Sequence, residues 1–298
     1  MNRLLPWLVA LAAYPGCSDR FKEPLTLGGV TIQPEVLNRG RAVFRRECTG
    51  CHDEDPTEAK PLSSPTDRPP RDLTLGYYKF TSVPDDGLPT DEDLARTIRD
   101  GIGQTQMGPR PDLPEDDLGA LVQFVKALAP RWRSGQTGTP VAVAPDPWGG
   151  KRQGGIARGF AVYHEVARCW TCHPAYVDST AIDRIRSLPP GAGAAPSDQA
   201  LQQRAETARA AAVESRYGRL EPPDFLSDKV RVSKGAAGLY RTIAAGVGGT
   251  PMPSWAGRLP PADLWAVVYY IQELGRVRGT PEGKRYRLGI PGPGPLPQ

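Results

Sequence analysis

Two short stretches of the sequence hold most of its reactive side chains. Both follow the pattern Cys-x-x-Cys-His and together use four of the five cysteines and two of the three histidines. Side chains this scarce, repeated at one spacing, predict a single chemistry performed at two places. The members are Cys48, Cys51 and His52 in the first stretch and Cys169, Cys172 and His173 in the second.

Three chemistries use a Cys-x-x-Cys pair. It can be half of a zinc site, and the two stretches could pool into one such site. It can be a thioredoxin-like redox pair, but that motif sits in a βαβ setting, which the sequence does not show. The histidine directly after the second cysteine favours the third, in which two thiols bond to the vinyl groups of haem and the imidazole binds iron. We therefore predict two covalently bound haem c groups, with His52 and His173 as iron ligands.

A second pair of residues supplies candidates for the remaining iron position. Apart from Met1, the chain has only Met107 and Met252. Each ends a fourteen-residue segment, LARTIRDGIGQTQM (94–107) and LYRTIAAGVGGTPM (239–252), which match at Leu, Arg, Thr, Ile, both Gly, Thr and Met. Methionine is usually a flexible core filler, but a repeat that ends on it twice predicts a ligand. Thioether ligation raises the reduction potential of haem relative to a second histidine.

The third histidine, His164, lies five residues before Cys169 on an expected helix. It could displace Met252 as an iron ligand. We interpret it instead as a partly exposed helix residue, which is the more common role of a lone histidine.

Each half of the chain shows the same expected order of elements. A helix with a glycine and an aromatic residue four apart precedes each cysteine motif, with Gly40 and Phe44 in the first half and Gly159 and Tyr163 in the second. An amphipathic helix follows each methionine, one beginning at Pro114 and its counterpart in PPADLWAVVYYIQELG. Both halves therefore run helix, cysteine motif, loop, short helix, methionine, helix.

This order resembles the class I cytochrome c family over residues 34–130 and 156–275. The resemblance implies an all-α fold of two tandem cytochrome c domains, joined by a Pro/Gly-rich linker at 131–155. It also implies that the first and last helices of each domain cross at the glycine and aromatic positions. Two additional residues between Tyr163 and Cys169 depart from the family pattern. The resemblance further makes Arg71 and Trp255 candidates to hold haem propionates.

Two segments lie outside these units. A stretch rich in Ala, Gln, Arg and Glu, at about 196–218, lengthens the second half and predicts an inserted, solvated helix. The Pro/Gly-rich segment 276–298 predicts a tail that is poorly ordered or lies over the surface.

The N-terminal residues 1–17 predict an export signal. Arg3 gives a short charged region and 4–13 an apolar region too short to span a bilayer. Cys17 follows Gly16 directly after this region, as the acylated cysteine does in bacterial lipoprotein precursors. We expect an exported, periplasmic protein that is anchored to a bacterial membrane through a lipid on Cys17. The alternative is a plain cleaved signal, which would leave an unpaired thiol.

Composition and charge complete the prediction. The 298 residues include 33 Gly and 33 Pro, typical of small helical units joined by irregular segments. Residues 18–130 contain 14 Lys or Arg against 20 Asp or Glu, whereas residues 131–298 contain 22 against 13. The scattered basic residues do not form a nucleic-acid footprint, and the opposite charges favour two faces for different redox protein partners.

These observations predict an electron carrier without a small-molecule substrate or an enzymatic activity of its own. A di-haem cytochrome c peroxidase type of enzyme is the alternative, and it would need one displaceable methionine. A cytochrome subunit of a larger dehydrogenase or respiratory complex is a further alternative with the same carrier chemistry.

Overall fold

The fold is mainly helical, with one small sheet. The computed structural model describes residues 19–54, 70–103, 105–187, 222–231 and 235–287. None of the helices in these ranges is long and apolar enough to cross a membrane. In chain order the elements are β1 (Leu25–Leu27), β2 (Val30–Ile32), α1 (Pro34–Glu47), α2 (Asp91–Asp100), α3 (Glu115–Leu128), α4 (Arg131–Ser134), α5 (Arg152–Ala161), α6 (Ser179–Ser187), α7 (Gly235–Ala245), α8 (Pro261–Arg276) and α9 (Pro281–Arg287).

The strands form an antiparallel hairpin that an all-α prediction does not include. Leu25 lies opposite Ile32, and Gly28 and Gly29 make the turn with positive φ angles of 64° and 88°. Glycine suits both turn positions because this hairpin turn needs φ above zero at each. The Gly28 N–H donates to the Trp132 carbonyl at 2.7 Å, so the hairpin is tied to the end of the first half.

Helices α1 and α3 cross at Gly40. A Cβ on Gly40 would lie 2.0 Å from the Ala120 carbonyl oxygen, so only glycine allows this approach. One turn later the Phe44 and Phe124 rings pack with centroids 5.2 Å apart. The crossing brings the C-terminal end of α1, where the first cysteine motif begins, onto the core of its half.

Helices α5 and α8 repeat this crossing in the second half. A Cβ on Gly159 would again lie 2.0 Å from a carbonyl oxygen, that of Ala266, and Tyr163 packs on Tyr270 with ring centroids 5.4 Å apart. A π turn at Val162–Val166 follows α5 directly. Such a turn accommodates inserted residues without ending the helix, and the crossing is preserved despite the two-residue insertion in this half.

The close crossings predict a large stability effect. Gly40→Ala and Gly159→Ala should each lower the free energy of unfolding by about 1–3 kcal/mol, because the added methyl overpacks against backbone. Gly119→Ala is the matched control, since Gly119 lies exposed in α3 and no atom of the residues that the structure describes is within 4 Å of its Cβ position. It should raise stability by about 0.5–1 kcal/mol through helix propensity and chain entropy. Thermal unfolding of the three variants measures this, and equal losses in all three would contradict the packing account.

The segment 131–155, predicted as a linker, packs against both halves. Trp132 is fully buried in the first core, which therefore extends past residue 130. Val141 N–H donates to a carbonyl of the first half at 2.7 Å, and Trp265 Nε1–H donates to the Ala144 carbonyl at 2.8 Å. Hydrogen bonds to both halves hold this segment in place.

Three predicted features lie wholly or partly outside the described residues. Cys17 and the inserted helix at about 196–218 are both outside them. Part of the predicted tail is inside, and there it is regular, since α9 follows α8 closely. Arg278 Nη2 donates to the Phe225 and Asp228 carbonyls at 3.2 and 2.7 Å, which holds the chain between these helices against the second half.

Candidate functional site

The first cysteine motif continues the last turn of α1. Cys48 N–H donates to the Phe44 carbonyl at 2.7 Å, and the Cys51 and His52 N–H groups both donate to the Cys48 carbonyl at 3.0 and 2.9 Å. The second motif folds in the same way, with Cys172 and His173 donating to Cys169 at 3.1 and 2.9 Å. Each motif is therefore a compact turn that holds two thiols and an imidazole together.

Both motif histidines are oriented by a backbone carbonyl. His52 Nδ1–H donates to the Arg71 carbonyl at 3.0 Å, and His173 Nδ1–H donates to the Pro223 carbonyl at 3.2 Å. A carbonyl can only accept, so Nδ1 carries the proton and Nε2 is the nitrogen available to a metal. Burial lowers the pKa of both imidazoles, which keeps them neutral and able to bind iron.

The half-buried thiols are held in the neutral form. Burial raises the pKa of Cys48 to about 11 and that of Cys169 to about 12. Zinc needs thiolates and four gathered ligands. Within the described residues, no group of three or more His, Cys, Asp or Glu side chains is placed to hold a metal ion. The pooled zinc site considered from the sequence is therefore not formed, because the two motifs belong to separate helix pairs.

The two methionine loops share one hydrogen-bond pattern. In the first, Ile102 N–H donates to the Met107 carbonyl at 2.9 Å, while Thr105 Oγ1 donates to the Ile102 carbonyl and accepts from Met107 N–H. Val247, Thr250 and Met252 make the same three contacts in the second. The sequence repeat is thus also a repeat of backbone geometry, and it ends on a half-buried methionine each time.

A glycine with positive φ opens each loop. Gly101 has φ +67 and Gly246 has φ +80, and a Cβ on either would lie within 2.9 Å of the following methionine carbonyl oxygen. These are the positions at which each helix turns sharply into its methionine loop.

Among the described residues of the first half, three buried side-chain atoms have no hydrogen-bond partner, namely Tyr78 Oη, Gln123 Oε1 and Trp132 Nε1. The hydroxyl of Tyr78 and the indole N–H of Trp132 lie next to each other. Burial raises the pKa of Tyr78 to about 12. The indole N–H of Trp132 has a smaller, opposite effect on this pKa, but it does not form a hydrogen bond of normal geometry with Tyr78 Oη. Tyr78 packs on the same cluster as Cys48 and Leu73. Two adjacent donors without an acceptor fit a haem propionate. This pair is not evident from the sequence because Tyr78 and Trp132 are far apart along the chain.

The sequence-predicted propionate candidates have other contacts. Arg71 uses its carbonyl to orient His52, and its guanidinium lies beside Gly249 of the other half, 2.9 Å from where a Cβ would be. Trp255 is buried in the second core, and its backbone N–H donates to the Ala244 carbonyl at 3.0 Å. Arg71 therefore supports the first site through its backbone, a role that side-chain type does not indicate.

The interpretation of His164 as partly exposed is wrong. Its side chain is fully buried among Phe160, Tyr163 and Tyr270, because the π turn rotates it inward. Nδ1–H donates to the Phe160 carbonyl at 2.9 Å, while Nε2 has no hydrogen-bond partner within the described ranges. Burial lowers the pKa of this imidazole to about 4.

Burial of His164 predicts a pH-dependent loss of stability. Its folded pKa of about 4 lies below the ordinary value of 6.5, so protonation favours the unfolded chain. The contribution of neutral His164 to the free energy of unfolding is fully present above pH 6.5 and is lost as pH falls towards 4. The total loss is on the order of 3 kcal/mol. His164→Leu should remove this part of the acid destabilisation. The measurement is the difference in the free energy of unfolding between the parent and the variant, followed from pH 7.5 to 4. A difference that does not change with pH would contradict the assignment.

Comparison with known proteins supports a c-type cytochrome that takes part in electron transfer. Residues 35–125 match the family described as cytochrome c oxidase, cbb3-type, subunit III. The chain is 28% identical over 151 residues to photosystem II extrinsic protein V of Cyanidium caldarium, covering 45% of this chain and 93% of that protein. It is also similar to a chain of the Kuenenia stuttgartiensis reducing HAO-like protein complex, at 27% identity and a TM-score of 0.57, covering 79% of this chain and 95% of that chain.

Proposed function

We propose that this protein is a di-haem electron carrier in which each iron is bound by one histidine and one methionine. The observation that supports this most is the matched pair of sites. Each half contains a Cys-x-x-Cys-His turn, a histidine oriented through Nδ1 and a methionine loop with the same internal hydrogen bonds. Haem supplies one-electron chemistry when bound.

The side chains of the protein have distinct parts in this function. The four motif cysteines would attach the two haems, and Nε2 of His52 and of His173 would bind iron. Met107 and Met252 would be the second iron ligands and favour the ferrous state. Because each ligand is fixed by a turn with its own hydrogen bonds, little has to reorganise when an electron arrives or leaves.

We further propose that electrons cross between the halves. The loop that holds Met252 contacts the first half, where Gly248 N–H donates to the Lys79 carbonyl at 3.2 Å. An electron would enter at one half and leave from the other, and the acidic and basic halves would select different redox proteins. Reduction by one partner, but not by the other, should then slow as salt is added.

The proposed location is the periplasm, with a lipid anchor on Cys17. The support is the pattern of residues 1–17 described above. Mass analysis of the N-terminal peptide tests it, because an acylated Cys17 as the first residue is expected, and an unmodified thiol or an intact leader would reject the anchor.

A second candidate is a cytochrome subunit of a larger redox complex. The solved chain that is similar to this one belongs to a complex. The similarity covers 79% of this chain and therefore extends over both halves. This role keeps the same haem chemistry and changes only the partner, so a stable complex in membrane extracts would favour it.

Carbon monoxide binding to the reduced protein tests the carrier proposal against a peroxidase type of enzyme. Both methionine loops are built alike, so neither reduced iron should bind carbon monoxide at equilibrium. An enzyme needs one open or displaceable position. Optical titration counted per haem measures this. If one haem binds carbon monoxide readily, the carrier proposal is rejected and the enzyme is favoured.

A further inference from the structure

The loop that holds Met252 rests on the first half of the protein. We call residues 246–254 the Met252 loop and residues 76–86 of the first half the docking segment. Three hydrogen bonds join them, at positions on both sides of Met252. They run from Gly248 N–H to the Lys79 carbonyl at 3.2 Å, from Gly249 N–H to Asp86 Oδ1 at 2.8 Å and from Ser254 Oγ–H to Asp85 Oδ1 at 2.9 Å.

The docking segment is itself held firmly by the first half. Arg131 donates to the carbonyls at both of its ends, Gly76 and Asp86, at 2.7 Å each. The same guanidinium lies 4.1 Å from the centre of the Tyr77 ring. In the middle, the backbone N–H and hydroxyl of Ser82 donate to the buried carboxylate of Asp93 at 2.9 and 2.8 Å. The Met252 loop therefore rests on a fixed support.

The two aspartates of the docking segment have an uncommon backbone conformation. Asp85 and Asp86 have φ values of +54° and +61°, in the left-handed region that residues with a side chain rarely adopt. Two such residues in succession persist only when the surrounding contacts hold them. This conformation directs both carboxylates at the Met252 loop, since each accepts a hydrogen bond from it.

At the central glycine of the equivalent loop in the first half, the described part of the chain gives no such support. We call residues 101–109 the Met107 loop, in which Gly103 occupies the repeat position of Gly248. Among the described residues, no atom lies within 4 Å of where a Cβ on Gly103 would be, whereas a Cβ on Gly248 would lie 2.0 Å from the Tyr78 carbonyl oxygen. Gly103 is also exposed, whereas Gly248 is half-buried. The repeat is thus symmetric inside each loop and asymmetric in what covers it.

We propose that the docking segment is a positioning element for Met252, so that methionine ligation in the second half depends on the first half while Met107 ligation does not. This rests on the proposed function, in which both methionines bind iron. A loop held on both sides of its ligand by a fixed neighbour swings away less often. Met252 is therefore the slower of the two methionines to yield its position to an external ligand.

Imidazole binding to the ferric holoprotein measures how readily each methionine is displaced. Binding should occur in two phases, a fast one at the first haem and a slow one at the second, assigned with Met107→Ala and Met252→Ala. Gly248→Ala should speed the slow phase about tenfold or more, because the added methyl pushes the loop off its support and loosens hydrogen bonds. The thioether-to-iron charge-transfer band of the second haem should weaken in parallel.

Gly103→Ala is the matched control, with the same change at the same repeat position but with no atom of the described ranges within 4 Å of the added methyl. Both phases should stay within about twofold of the parent, since no contact is altered. A second pair removes the hydrogen bond without a clash. Asp86→Gly keeps the left-handed backbone and removes the acceptor, whereas Asp86→Asn keeps both. The slow phase should speed up in Asp86→Gly and return close to the parent rate in Asp86→Asn.

The outcomes separate this inference from the proposed function. If Gly248→Ala and Asp86→Gly leave the slow phase and the charge-transfer band as they are in Gly103→Ala, the positioning role is rejected and methionine ligation stands. If Met252→Ala has the same band and binding phases as the parent, Met252 is not a ligand and the proposed function itself fails. Haem content of every variant, measured after denaturation, confirms that the second site is loaded.

Discussion

Replacing Cys48 and Cys51 together by serine is expected to halve the haem that stays on the chain after denaturation. Serine is close in size to cysteine but cannot form a thioether bond to a haem vinyl group. Cys169→Ser with Cys172→Ser should have the same effect on the other haem, and all four changes together should leave none. Intact mass under denaturing conditions measures the number of haems that remain attached.

Cys17→Ser is the control for these variants. Cys17 is the one cysteine outside the two motifs, so both haems should remain attached while the lipid is lost. If a double variant of one motif retained two covalent haems, or if either double variant lost both, the two-site account would be wrong. The second outcome would show that haem attachment at one motif depends on the other.

Replacing Met252 by alanine is expected to change one haem and leave the other unchanged. Water would replace the thioether, and the preference of the thioether for ferrous iron would be lost. The midpoint potential of that haem should fall by on the order of 100 mV or more, within the wide range over which axial ligands set haem potentials. The reduced form of the same haem should now bind carbon monoxide.

Met107→Ala is the reciprocal variant, and it should shift the other haem by a similar amount. Optical redox titration of the three proteins separates the two haems, because each variant moves one component only. Unchanged potentials in both variants would contradict methionine ligation. A shift of both haems in a single variant would contradict the assignment of one methionine to each half.

The local pattern of the sequence predicted the helices that frame the sites. Gly40 and Gly159 mark the crossings because close backbone contact admits no side chain, and this restriction is visible in residue type. The aromatic residue one turn later indicates which face of each helix is buried. The methionine loops were also predictable, since a repeat of glycine and threonine encodes the turn that precedes each methionine.

Features that depend on distant residues were not predictable. His164 is buried because an inserted π turn rotates it, and the insertion is visible in sequence whereas its effect is not. Trp132 and Tyr78 come together only after the chain has passed through α2 and α3. The contact of Asp86 with Gly249 joins two halves of the chain, and neither residue type indicates a partner. Tertiary packing determines such pairs, and no local pattern does.

The measurement that tests the central claim most directly is near-infrared magnetic circular dichroism of the oxidised protein, quantified per haem. This spectrum distinguishes a histidine–methionine ligand pair from two histidines and from an iron with an open position. Two histidine–methionine haems per chain are the result that we predict. One such haem beside a haem of any other ligation would contradict the account, and the half in which it lies would be identified by the cysteine variants.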